Sequence, residues 1–376
     1  MSEQRSFGWV GLPEPLSSDF RYFLVLVWRH LTLPDPTPIQ LDIAHYMQHG
    51  SKRRIVEAFR GVGKSWMAAA YVLWLLRRDP QLKIMVVSAS KIRADDFTMF
   101  CMRLIREMPI LQCLEPDRDE QRSAVNRFDV RPSIPDQSPS VKAVGIFGQL
   151  TGSRADLILS DDVETPTTSW SVGIREKLLA AVGEFNAILK PGGEIMFLGT
   201  PQTEESIYNK LAQRAYEVRI WPARYPENPV KYGDALAPVV QEGCLEFKSQ
   251  PTDPGRFSEM DLLERETSYG RSAFALQFQL DTSLSDAERF PLKLADLMVL
   301  EVSDHAPEKL VWSSGAEYRI SDLPVVGFNG DYYYRPAYIH GSWLPFQGCV
   351  MFIDPSGRGL DETAYAIVAH LNGNLF

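Results

Sequence analysis

The chain has 376 residues, 45% of them hydrophobic and 23% charged, with a formal net charge of −9. That length exceeds one ordinary domain, and the composition is that of a soluble globular protein with a sizeable core. The acidic balance argues against a protein that coats nucleic acid non-specifically, while leaving room for a local basic channel.

The most apolar early run, Phe23 to Trp28, is bounded by Arg21 and Arg29 and is far shorter than the ~20 residues a membrane span needs. It reads as the buried side of a helix that begins near Ser18 and Asp19 and stops before Pro34. Thr37-Pro-Ile-Gln40 opens a second helix, and the apolar run 54–58 is a strand. A helix from Lys64 to Arg78 follows, then a continuous apolar strand at 83–88 and a helix at 90–107. The stretch 112–140, rich in Pro, Asp, Gln and Ser, reads as an excursion from the core. Further strands are expected at 141–147, 156–160 and 194–198, with a helix spanning about 172–189. Strands without polar alternation are buried on both faces, so their alternation with helices from about 50 to 221 predicts an α/β, doubly wound core with a mostly parallel sheet. Beyond it one helix is expected around 261–278, and 302–345 shows no clean period. The four cysteines have neither CxxC pairing nor metal-like spacing with the six histidines, and read as reduced thiols of a cytosolic protein.

Ala58-Phe-Arg-Gly-Val-Gly-Lys64-Ser65 sits between a strand and a helix, the context a phosphate-binding loop requires. Arg60, Gly61 and Gly63 lie within it. Glycines let the backbone wrap a phosphate, and the helix start supplies free N–H groups. Lys64 would hold the β- and γ-phosphates of ATP, and the Ser65 hydroxyl would ligate Mg²⁺. Ala58 stands where the strict pattern has Gly. A buried strand ending in Asp161-Asp162-Val-Glu164 supplies the matching acids: Asp161 for Mg²⁺, and Asp162 to orient the attacking water, favoured by spacing over Glu164. Gln40 is placed to read both edges of adenine, and Arg60 to reach the γ-phosphate or a neighbouring acid. Arg154, ahead of the acidic strand, reads either as a finger to a neighbouring subunit's ATP or as a structural salt bridge. Thr200, in the turn Leu198-Gly-Thr200-Pro-Gln202, sits where a γ-phosphate sensor belongs.

The order of a Gln motif, xxRxxGK[ST], the acidic strand and GTPQ resembles the large terminase subunit of tailed phages. Strings such as SASKIRAD, GQLTGSRADLILSDDVE, QPTDPGRF and FALQFQLDTSLSDAERFPL resemble more narrowly the DNA maturase B of short-tailed podoviruses. The resemblance covers about 20–295. It implies an ATP-driven motor that moves double-stranded DNA into a procapsid through the portal, working in the host cytoplasm and transiently at the portal vertex. A homo-oligomeric ring (a pentamer) and a small terminase subunit are its implied partners. It also implies an ATPase domain over 1–285 with a lid subdomain at about 222–285, a linker at 286–345, and the start of a ribonuclease-H-like nuclease at 346–376. There Asp354 would be the first metal ligand, ending the strand 349–354. The remaining carboxylates would lie later in the sequence, Asp361 and Glu362 being loop residues. The hairpin 349–376 is accordingly expected to pack poorly, and the chain to hydrolyse ATP without cutting DNA. A helicase-type translocase and a nucleotide-dependent portal assembly switch are the alternative readings.

Overall fold

A computed structural model describes residues 11–203, 205–282, 294–313, 315–323, 332–355 and 363–376. The chain divides into two units, Met1–Arg289 and Phe290–Phe376. In the first, α1 (Phe20–His30) starts at Asp19, whose carboxylate accepts from Arg21 N, and α2 (Pro38–His49) starts with a Thr37/Gln40 capping box. Then come β1 (Arg53–Ala58), α3 (Lys64–Arg78), β2 (Ile84–Ser88) and α4 (Lys91–Glu107), capped by Ser90. The excursion at 112–140 contributes two short strands, β3 (Ser123–Ala124) and β4 (Arg127–Phe128). They are followed by β5 (Val141–Gly145), β6 (Ala155–Asp161), α5 (Pro166–Ser169), α6 (Val172–Gly183), α7 (Phe185–Ile188), β7 (Leu189–Gly199), α8 (Ile207–Ala212) and β8 (Glu217–Trp221).

These eight strands form one sheet in the order β3-β4-β5-β2-β6-β7-β1-β8. The six from β5 to β8 pair in parallel, and β3 and β4 add an antiparallel edge. Apolar runs without alternation were the signal, and the burial bears it out: every residue of β2 is buried. One face of the sheet buries Val56, Val86, Leu159 and Leu198 with the aromatic rings of α1, α2 and α3. The other buries Ile55, Val87, Ile158 and Phe197 against α6, α7 and α8. Because β7 lies between β1 and β6, the carboxyl ends of the three form one continuous edge.

Boundaries differ from expectation where backbone geometry overrides composition. The helix expected across 172–189 stops at Gly183, a short turn Phe185–Ile188 follows, and β7 begins at Leu189. The helix expected at 261–278 is α10 (Glu259–Tyr269), broken at Gly270, whose φ is 78°. After it come α11 (Arg271–Phe274) and a π-helical turn, Ala275–Gln279. A shorter helix, α9 (Pro238–Gly243), precedes them.

In the second unit, β9 (His305–Val311) pairs with β12 (Tyr338–Pro345), and β10 (Arg319–Ile320) with β11 (Tyr333–Tyr334). These strands fall in the stretch where no period was legible. Pro307 and Pro345 interrupt the apolar pattern and are tolerated because this ladder has two strands, each of them an edge. The expected hairpin is β13 (Gly348–Asp354) and β14 (Ala364–Leu371), with β15 (Asn374–Leu375) beside it. Every residue of β13 is exposed. Asp361 and Glu362 lie outside the described residues.

One buried contact gives a direct test of the sheet and its α8 face. A Cβ on Gly199 would lie 2.0 Å from Tyr208 Oη, and Tyr208 is fully buried. Gly199→Ala is therefore expected to destabilise the protein by about 1–3 kcal/mol, read from the midpoint shift in urea unfolding.

Candidate nucleotide site

The loop joining β1 to α3 is built so that backbone N–H groups are left over. Gly61 and Gly63 have φ of 91° and 96°, a left-handed conformation that residues with a Cβ rarely adopt. Gly63 caps α3 without a side chain, so the first N–H groups of the helix are not taken by a capping side chain. A cavity of about 510 Å³ opens over this helix start. It is lined by the loop, by Asp162 and Glu164 beyond β6, and by Thr200 and Gln202 beyond β7.

Lys64 is buried beneath the cavity, where its ammonium donates to the carbonyls of Ala58 and Phe59 and, at 3.3 Å, to Thr200 Oγ1. Burial pushes its pKa down, and the charges of Asp162 and Asp161 push back. Asp161 is buried too: burial and then the Asp162 charge raise its pKa to about 7, opposed by a hydrogen bond from Ser65 and by Lys64. One Asp161 oxygen, Oδ1, is buried without a hydrogen-bond partner. A hydroxyl joined to a carboxylate that still has a buried lone oxygen is a donor set that suits Mg²⁺.

The two candidate bases are placed differently. Asp162 is half-buried, lines the cavity, has a left-handed φ of 46°, and donates its N–H to Leu198 O at 2.8 Å. Glu164 is buried, with Oε1 accepting from Gln202 N at 2.7 Å. Its Oε2 accepts from Ser206 Oγ at 2.9 Å and from Ile207 N at 2.7 Å. Burial raises its pKa against those backbone donors. Glu164 thus caps α8 and ties the β6 turn to the β7 turn.

Two expected residues stand elsewhere. Gln40 does not line the cavity: its Oε1 accepts from Thr37 N in the capping box of α2, and its Nε2 donates to Val62 O at 2.7 Å and so braces the loop. In this arrangement both ends of the amide are engaged within the protein. Arg154 precedes β6, on the order of 20 Å along the strand from Asp161, and donates to Ala187 O. It is bonded to a backbone carbonyl rather than to an acid, and it lies far from this chain's own cavity. Asp354 ends β13, exposed. Among the described residues no group of three or more His, Cys, Asp or Glu side chains could hold a metal ion.

Several lining residues were not singled out from the sequence. Arg256 Nε donates to Gly61 O at 2.8 Å, and Phe257 fills the space a Cβ on Gly61 would need. Gln277, on the π-helical turn, accepts Arg60 N at its carbonyl and donates to Gln202 Oε1 at 3.3 Å. Trp66 and Arg93 complete the rim. The string QPTDPGRF carried Arg256 without revealing its partner. Glu57 on β1 was missed as well: burial and then the charge of Glu164 raise its pKa to about 8, with Lys64 opposing.

A phosphate-type loop and an acidic strand end, at the carboxyl edge of a parallel sheet with one strand between them, define a P-loop NTPase core. The chain is 47% identical over 373 residues, 96% of its length, to the terminase large subunit of Enterobacteria phage T3. It spans 64% of that relative's length. No protein-family model matches it. Among solved structures, the large terminase of bacteriophage HK97 is 14% identical, over 70% of this chain and 54% of that one, with a TM-score of 0.42. The ATPase domain of the Thermus phage P74-26 large terminase is 15% identical, over 68% and 96%, with a TM-score of 0.38. Likenesses this distant assign no residue a role.

The buried acid gives a prediction with a definite sign. Glu57 holds its proton in the folded state up to about pH 8, whereas an unfolded chain releases it near the ordinary value of 4.5. Its proton-linked stability is complete below pH 4.5 and is lost as pH rises through 8. Glu57→Gln should therefore gain on the wild type by a few kcal/mol across that window, measured by urea unfolding at pH 5, 7 and 9. Parallel curves for the two proteins would contradict it.

Proposed function

We propose that this chain is the ATP-hydrolysing motor part of a phage DNA-packaging terminase. The observation that carries the reading is the convergence of Lys64, Ser65, Asp162 and Thr200 on one cavity over a helix start without a capping side chain, with Asp161 buried next to Asp162 in the chain. In this reading the phosphates of ATP enter over the loop, and Lys64 exchanges its carbonyl partners for β- and γ-phosphate oxygens. Ser65 and Asp161 would hold Mg²⁺, which neutralises charge on the transferring group when bound. Asp162, facing the cavity, orients the attacking water and accepts its proton. Glu164 is committed to three donors and acts by positioning the turn that carries Gln202. Thr200 touches Lys64 and is sited to register the γ-phosphate. Arg60, Arg93 and Arg256 supply positive charge around the triphosphate.

The likeness to the T3 terminase large subunit supports the terminase class; in this reading double-stranded DNA is the substrate that is moved, with a portal and procapsid, a small subunit and a ring of copies as partners. In such a ring Arg154 has a catalytic role only toward a neighbouring subunit's site. Cutting of DNA belongs to this reading only for a protein with a complete nuclease centre, in which Asp354 would be one ligand. Among the described residues no helix is long and apolar enough to cross a membrane.

Lys64→Ala should abolish ATP hydrolysis, and retention of more than a small fraction of wild-type phosphate release would refute the site. Asp162→Asn is expected to bind nucleotide with near wild-type affinity yet lose turnover by orders of magnitude, in single-turnover assays. Glu164→Gln should instead lower stability by about 1–3 kcal/mol, because an amide NH₂ must face a donor. If Glu164→Gln is as stable as wild type and inactive while Asp162→Asn turns over, the two roles are exchanged.

A further inference from the structure

The reading of an ATP site leaves its nucleoside end unassigned, and the following inference rests on that reading. The amides at the cavity are engaged with one another: Gln277 Nε2 donates to Gln202 Oε1, and Gln202 Nε2 to Thr200 O at 3.0 Å. Gln40 is buried and braces the loop. The lining arginines offer donors only. The surface that remains for a base is aromatic.

Trp66 is the one aromatic residue lining this cavity among the described residues. It follows Ser65 in the first turn of α3 and is 40% exposed, unlike the buried Trp28 and Trp74. Its ring is braced edge-on by Trp28, with centroids 6.4 Å apart, and by Phe100 at 6.3 Å. Two ring neighbours restrain the indole while part of its surface stays open.

The direction of a bound nucleotide follows from the loop. Lys64 takes the β/γ end, next to Asp162 and Thr200, and the first N–H groups of α3 take the phosphates nearer the sugar. The nucleoside therefore extends past Ser65, away from the acids and toward Trp66. We propose that Trp66 is the platform on which the nucleobase stacks. Base–aromatic stacking is worth roughly 1–3 kcal/mol, which converts to a loss on the order of 5- to 100-fold in affinity when the ring is removed.

The test compares a non-hydrolysable ATP analogue with inorganic tripolyphosphate, both as Mg²⁺ complexes, by calorimetric titration of the full chain. Wild type should bind the nucleotide more tightly than tripolyphosphate. Trp66→Ala should bring the nucleotide down to the tripolyphosphate level while leaving tripolyphosphate itself unchanged, and Trp66→Phe should keep most of the advantage. An unchanged nucleotide-to-tripolyphosphate ratio in Trp66→Ala overturns the proposal, and so does an equal loss for both ligands, which would mean a disturbed loop. If wild type binds neither ligand, the phosphate-loop reading fails and takes this inference with it.

Discussion

A buried ammonium group organises this molecule's candidate site. Lys64 cannot lie under the loop uncompensated, because a desolvated cation needs acceptors and nearby negative charge. The acceptors are the carbonyls of Ala58 and Phe59 at the end of β1 and the hydroxyl of Thr200 beyond β7; the charge comes from Asp161 and Asp162 at the end of β6. Three strands must therefore end side by side, and the placement of β7 between β1 and β6 brings this about. The same arrangement readies the site, since a phosphate group can take over the place of the loop carbonyls without any new strand contact.

The distal part of the first unit completes the enclosure. Asp253 accepts from Thr37 Oγ1 at 2.9 Å, Arg256 grips Gly61, and Gln277 bridges Arg60 to Gln202. These contacts join residues some two hundred positions apart to the loop. They also link the β7 turn, through Gln202, to a π-helical turn, an irregularity often found at functional positions. A change in the loop on nucleotide binding would thus reach the segment 250–279 through hydrogen bonds to backbone and amide groups.

Much of this was readable in the residues, for identifiable reasons. Parallel strands buried on both faces are written as unbroken apolar runs, so five of the six parallel strands were located from sequence, and the phosphate loop and acidic strand end carry fixed spacings. What the residues alone did not reveal was anything decided by a partner distant in sequence. Gln40 has the right chemistry to read a base, but whether its amide is open depends on Val62 and Thr37. Nothing in the sequence marks Trp66 until the cavity beside it is known. Glu57 sits in an apolar run that gives no hint of a shared field with Glu164 and Lys64. Prolines hid β9 and β12, and Gly270 divided a helix that composition had joined.

The left-handed backbone of Asp162 has a consequence for which acid can stand there. Asp and Asn are several-fold enriched among residues in this conformation, owing to their short polar side chains. The peptide is held in that turn by its hydrogen bond to Leu198, which belongs to the inserted strand. Asp, one methylene shorter than Glu, therefore fits the turn geometry that the sheet order imposes. In the proposed reading the shorter arm brings the water-binding oxygen closer to the main chain, so the nucleophile approaches nearer the backbone edge of the sheet. In that reading the architecture of the strands, and not the preference of the chemistry alone, selects the length of the acid's arm.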